Sequence, residues 1–202
     1  MIFKMKVDKS TIKDFYPKTR KEWRKWLQKN YDKEYAIWLI FYKKGSNMPS
    51  ITYADAVEEA LCFGWIDSVP NKIDDKKHKQ MFSQRKKKSV WSKINKERIE
   101  KLIKENLMHE AGLTKIEEAK KDGSWTTIDN IEELLMPDVL RKAFSNNKKA
   151  LKFFETFPKS VKKAIYFLVE SAKTPETLKK RITETVTLAK ENKRANQYVK
   201  KN

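Results

Sequence analysis

Arg85 opens a run of four basic residues that leads into Ser89 and Trp91, and Glu58, Trp65 and Asp67 lie in an uncharged-rich stretch not far upstream. A guanidinium together with the free amides of a helix start binds anions, indoles make the walls of a pocket, and carboxylates orient polar groups. If the two stretches pack together, Glu58, Trp65, Asp67, Arg85, Trp91, Lys93 and Asn95 line one cleft for a small anionic ligand. Arg85 and the amides after Ser89 are then the donors, and Trp65 and Trp91 the walls. The competing reading of the same residues is an Asp67–Arg85 ion pair above a tryptophan core. Positive charge at a helix N-terminus opposes the macrodipole, so the basic run is locally unfavourable unless something negative binds there.

Other chemistry is more weakly signalled. Cys62 falls at the C-terminal end of its helix, where the dipole disfavours a thiolate, and reads as a small buried hydrophobe. Two histidines and one cysteine cannot build a zinc cluster, and Asp74 and Asp75 sit in a lysine-rich loop where acids are solvated, so no metal or cofactor is expected. Glu58 with Asp67 has the residue types of an acid/base pair, but nothing in their spacing separates that from surface charge. No catalytic residue is assigned, and a non-enzymatic binding protein is favoured over an enzyme of unknown reaction.

The net charge is +19. Nucleic acid is the obvious alternative partner, and Arg85 to Arg98, with Trp91, Lys93 and Lys96 between, is the segment that would carry it. Two features argue against a focused nucleic-acid surface. Of the 46 basic residues only seven are arginine, the residue suited to bidentate readout, and the charge is spread as +8, +3, 0 and +8 over residues 1–50, 51–100, 101–150 and 151–202. Solvated helix faces account for most of it.

The elements that must position these residues are legible. Thr52 caps a helix with Asp55 in its first turn, and Tyr53, Ala56, Val57, Ala60 and Leu61 make one apolar stripe with Glu58 and Glu59 off it. Gly64 ends that helix in the left-handed conformation, and Trp65 and Ile66 carry the chain into a strand that stops at Asp67. Upstream, Thr19 and Glu22 form a capping box for a helix with Trp23, Trp26 and Leu27, while Ala36 to Tyr42 reads as a central strand covered on both faces. Residues 1–18 read as a tail or short first element. Pro70 to Lys79 read as a polar loop, Gln80 to Ser83 as a weak third strand, and Ser89 as the N-cap of a helix carrying Trp91, Ile94, Ile99, Leu102 and Ile103.

A helix from Glu110 to Lys121 follows, then a connection from Ser124 to Pro137. The last third is helical, with segments at 137–144, 147–156, 158–172 and 175–191, the last opened by Thr174 as cap and Pro175 at the first position. The sequence therefore predicts an α+β fold: a small sheet with flanking helices in residues 1–125, and an all-helical region in residues 126–202 docked on it. No signal-like or membrane-spanning apolar run is seen, so a cytoplasmic protein is expected.

Four blocks carry a family resemblance: KKGSNMPSITYADAVEEALCFGWIDS at 43–68, FSQRKKKSVWSKINKERIEKLI at 82–103, AGLTKIEEAKKDGSW at 111–125 and ESAKTPETLKKRI at 170–182. The sequence resembles the YdeI or OmpD-associated (OmdA) family. That resemblance implies a stress-related role in bacteriocin protection and resistance to cationic antimicrobial peptides, with an envelope porin as associate, and supplies no catalytic residues. Two departures stand out. A +19 chain repels cationic peptides, and Thr177 is followed by Leu178 where the family commonly has arginine.

Overall fold

The computed structural model describes residues 11–195. The chain divides between Thr126 and Thr127 into two compact units. In the first, the order is β1 (Asp14–Phe15), α1 (Arg20–Asn30), β2 (Ala36–Tyr42), α2 (Tyr53–Cys62), β3 (Trp65–Lys72), β4 (Lys77–Gln84), α3 (Lys93–Lys104) and α4 (Glu110–Lys121). The second holds α5 (Asp129–Glu132), α6 (Asp138–Ser145), α7 (Lys148–Glu155), α8 (Lys159–Glu170) and α9 (Pro175–Lys190). The fold is α+β, with strands only in the first unit among the described residues.

The four strands form one sheet in the order β1-β2-β4-β3, with β1 parallel to β2 and the other pairs antiparallel. β2 is apolar along its length because it is an interior strand. Its Ile37, Leu39 and Phe41 alternate onto the face that packs with Trp23 and Leu27 of α1 and with Ala56, Val57, Ala60 and Leu61 of α2. The Trp23 indole N–H donates to the Ala56 carbonyl at 3.0 Å, so even the buried polar atom of that tryptophan is used to join the two helices.

The segment read as a tail or short first element contributes β1, a two-residue strand too short to show a period. Two expectations are corrected. The chain from Pro70 to Lys79 is not a loop: β3 runs on to Lys72 and turns into β4, with a register shift between Asp67 and Pro70. Pro70 is tolerated because β3 is the sheet edge, where a missing N–H breaks no interior ladder. The helix after the basic run starts later than expected, with Ser92 rather than Ser89 at its N-cap, so Trp91 precedes the helix.

The Thr19 and Thr52 caps form as read, each hydroxyl accepting from the backbone N–H three residues on. Gly64 adopts φ +74 after α2. The end of α2 is where α4 arrives. A Cβ on Gly112 would stand 2.3 Å from the Cys62 carbonyl oxygen, and the His109 N–H donates to that same oxygen at 3.1 Å, so glycine at 112 is what lets α4 approach. In the helical unit, Leu140, Phe144, Phe154, Ile165, Tyr166, Val186 and Ala189 make the core, with Phe144 and Phe154 ring centres 4.8 Å apart. The Thr174 cap and Pro175 start of α9 are present. The segment expected as a bare connection holds α5. Expectations for residues 1–10 and from 196 onward lie outside the described residues.

Candidate anion site

Arg85 follows directly on β4. Its backbone N–H donates to the Gly64 carbonyl at 2.9 Å, which fixes it beside the corner between α2 and β3. Its side chain is turned inward and the residue is only 4% exposed, whereas Lys86, Lys87 and Lys88 are exposed. The basic run is thus one buried arginine followed by three surface lysines.

The guanidinium lies flat on Trp91, with its central carbon 3.5 Å from the ring centre, and Nη1 donates to the Val90 carbonyl at 2.9 Å. Nε and Nη2 are buried and have no hydrogen-bond partner. These two nitrogens form the side-on edge of the guanidinium, whose parallel N–H bonds match the two oxygens of a carboxylate or phosphate. No carboxylate pairs with Arg85 among the described residues. Burial therefore pushes its pKa down to about 10, with only the more distant Asp67 charge acting the other way. Such a group is a charged donor without its acceptor.

Arg85 also lines a cavity of about 10 Å³, enough for one water-sized group. Its walls are Arg85 and Trp91, the turn from Lys86 to Ser89, and Lys115, Glu118, Ala119, Asp122 and Ser124 of α4 and the residues after it. Five of these residues are cationic and two anionic, and Glu118 is already engaged by Lys115 at 2.9 Å. The turn is closed by the Ser89 N–H donating to the Lys86 carbonyl at 3.2 Å, with Lys88 at φ +61. A lysine there is strained by about 1 kcal/mol relative to glycine. Asp122 holds it, its Oδ2 accepting from the Lys88 N–H at 3.2 Å. Strain of this kind persists where surrounding contacts over-determine the backbone, and it is enriched at binding sites.

The other residues of the expected cleft lie elsewhere. Trp65 is fully buried, its indole N–H donating to the Tyr31 carbonyl at 3.0 Å and its ring meeting Trp26 edge-on. Asp67 accepts from the Tyr53 hydroxyl at 2.7 Å and from Gln80 at 3.3 Å; it is not paired with Arg85. The Tyr53 hydroxyl is in consequence pushed up to about 12 by burial and by that carboxylate. Asn95 is buried and accepts from Arg98 at 3.0 Å, and Lys93 is the first residue of α3. The amides after Ser89 do not form a helix start. The structure brings Arg85 and Trp91 together and leaves Glu58, Trp65, Asp67, Lys93 and Asn95 outside the cavity walls.

Glu58 belongs to a different constellation. Arg20 donates from Nε to Glu59 at 2.6 Å and from Nη1 to Asp55 at 3.0 Å and Glu58 at 2.9 Å. Arg24 donates to Glu59 at 2.7 Å and to the Leu107 carbonyl at 2.7 Å, and Lys101 reaches Glu58 at 3.2 Å. Three cations meet three carboxylates here. Burial opposes the charge on Arg20, but Glu59 and Glu58 outweigh it and raise its pKa. Cys62 lies at the end of the same helix, and burial pushes its thiol up to about 11, which leaves it without nucleophilic character near neutrality.

Sequence reasoning missed Lys115, Asp122 and Ser124, because they lie 30 or more positions from Arg85 and no local pattern marks them. It also placed Glu58 and Glu59 off the apolar stripe. A signal was available in Arg20 and Arg24, two of only seven arginines, set one helical turn apart on α1. A groove of about 660 Å³ runs along α9, but its described lining residues all belong to that one helix and offer no facing wall.

Residues 15–115, half of the chain, match the family model described as Domain of unknown function (DUF8412). The chain belongs to that family. The matched stretch runs from the last residue of β1 to the start of α4 and includes Arg85, Trp91 and Lys115. Residues 133–192, in the helical unit, match the model described as Bacteriocin-protection, YdeI or OmpD-Associated. The YdeI/OmpD-associated resemblance is therefore supported over α6 to α9, whereas the blocks at 43–68 and 82–103 fall within the DUF8412 match. No curated protein and no solved structure matches the chain. Among the described residues no helix is long and apolar enough to cross a membrane.

Proposed function

We propose that this DUF8412 member is a non-enzymatic binding protein whose first unit takes a small oxyanion on Arg85. One observation carries the reading: a residue buried to 4% exposure leaves the Nε/Nη2 edge of its guanidinium without a partner and lines a small cavity shared by four lysines and two acids. A buried charge is ordinarily paired, and an unpaired one costs several kcal/mol. An incoming carboxylate or phosphate supplies two charge-assisted hydrogen bonds and the missing negative charge in one step. Trp91 holds the plane of the guanidinium, the Val90 carbonyl fixes its rotation, and Lys86 to Lys88 draw anions to the mouth. The cavity admits one oxygen atom as it stands, and the exposed turn from Lys86 to Ser89 is the wall that yields to the rest of the group.

Burial argues against the nucleic-acid alternative through this segment, because an indole 1% exposed, as Trp91 is, cannot stack on a base. The bacteriocin-protection description belongs to the family matched at residues 133–192, and a stress role for this chain remains part of the proposal rather than of the geometry.

The test is a thermal-shift and calorimetric titration at fixed ionic strength with formate, inorganic phosphate and chloride. At one hundred times Kd a bound anion adds about 2.7 kcal/mol, which raises Tm by roughly 5–10 °C for a domain of this size. Formate or phosphate is expected to stabilise more than chloride, and Arg85→Met to abolish the difference. Equal responses to all three salts in the wild-type protein would overturn the reading.

A further inference from the structure

Lys115 lines two concavities at once: the cavity beside Arg85 and a neighbouring groove of about 290 Å³. Tyr31, Phe63, Gly64 and Gln84, with Ala111 and Thr114 of α4, line that groove, a volume near the lower end for small-molecule sites, and since Phe63 is only 2% exposed the accessible ring is that of Tyr31. The two spaces are tied closely. The Arg85 N–H donates to the Gly64 carbonyl, so the residue presenting the guanidinium edge and the residue flooring the groove are joined by one backbone hydrogen bond.

The partition is the aliphatic stem of Lys115. A Cβ on Gly64 would stand 2.7 Å from Lys115 Cγ, so the stem lies directly across that glycine. Its ammonium group pairs with Glu118, and the side chain is partly exposed. Each space lacks what the other has. The Arg85 cavity has charge but room for one water-sized group, and the groove has volume and an aromatic wall but no cation other than Lys115. Asp32 on the groove rim disfavours a second acid group there.

Resting on the oxyanion reading above, we infer that the ligand is a small organic acid with one acidic end. Its carboxylate or phosphate monoester group sits on Arg85, its apolar body lies in the groove against Tyr31, Ala111 and the Cα of Gly64, and Lys115 turns from Glu118 to the oxyanion as the partition opens.

The experiment is isothermal titration of the full chain with four probes: formate, benzoate, inorganic phosphate and phenyl phosphate. Benzoate is expected to bind at least about tenfold more tightly than formate, or phenyl phosphate than phosphate, from burial of the ring. The pair that shows the larger gain tells carboxylate from phosphate. Thr114→Trp, at an exposed position on α4, fills the groove and is expected to erase the gain while formate and phosphate binding stay at the wild-type level. Equal affinities within both pairs for the wild-type protein, or an undiminished gain in Thr114→Trp, would overturn this inference and leave the oxyanion site standing. Failure of formate and phosphate alike to bind the wild-type protein would overturn both.

Discussion

Arg20 and Arg85 lie in the same unit, the first half-buried and the second buried, and they are treated in opposite ways. Arg20 has Asp55, Glu58 and Glu59 around it, and with Arg24 and Lys101 the cluster balances three cations against three carboxylates. One of its nitrogens, Nη2, is also without a partner, but the charge itself is neutralised. Arg85 is more deeply buried and has a carbonyl and an indole face for company. The first arrangement clamps α1 and α3 onto α2, because the two arginines come from α1, Lys101 from α3 and the carboxylates from α2. The second leaves two donors and a full charge uncommitted. The contrast teaches that burial of an arginine does not by itself name its role; the sign and number of its partners do.

Three perturbations bear on that contrast beyond the ligand experiments. The largest effect is expected at the closed cluster. Glu59→Gln keeps the shape but leaves Arg20 and Arg24 short of a shared carboxylate whose side chain is 3% exposed. It should cost about 2–3 kcal/mol by urea denaturation, short of the full penalty for breaking a buried pair because both arginines keep some contact with water. A loss below about 0.5 kcal/mol would mean that the cluster is a surface feature and the comparison fails.

Alkaline pH tests the end of α2 beside the closed cluster. The Cys62 thiol is raised from about 9 to about 11, so the stability it contributes is fully present below pH 9 and lost as pH rises through 11, on the order of 2 kcal/mol. Urea denaturation between pH 8 and 11.5 should show a flatter decline for Cys62→Ala than for the wild-type chain. Parallel slopes in the two proteins would contradict the assignment.

The smallest effect is expected at the turn over the Arg85 cavity. Lys88→Gly removes a side chain from a left-handed residue and should stabilise the protein by about 0.5–1 kcal/mol in chemical denaturation, with the Asp122 contact to the backbone N–H retained. A destabilised variant would show that the Lys88 side chain contributes more than the strain it imposes.

Much of the architecture could be read in advance because its causes are local. The Thr19, Thr52 and Thr174 caps, the stripe of Ala56, Val57, Ala60 and Leu61, the left-handed Gly64 and the apolar Ala36–Tyr42 strand each depend on residues within one or two turns of one another. Less was legible where a neighbour far away in sequence decided. Lys77 to Gln84 read as loop and weak strand since its polar residues alternate with few apolar ones, and only pairing on both edges makes it interior. The basic run read as one feature because charge says nothing about direction.

The helices other than α5 and the start of α3, the central strand, the α+β class and the presence of a scarce arginine beside a tryptophan all follow from residue order, since capping, periodicity and residue type act over short distances. Which arginine is neutralised was left to tertiary contacts. That choice depends on α1 meeting the carboxylates of α2 more than thirty residues away, and on α4 and the residues after it closing over Arg85 with Glu118 already taken by Lys115 and Asp122 by the Lys88 N–H, so that neither acid pairs with the guanidinium. Charge pairing falls off within a few ångströms in a protein interior, so it is settled by where the chain brings residues together and not by their order along it.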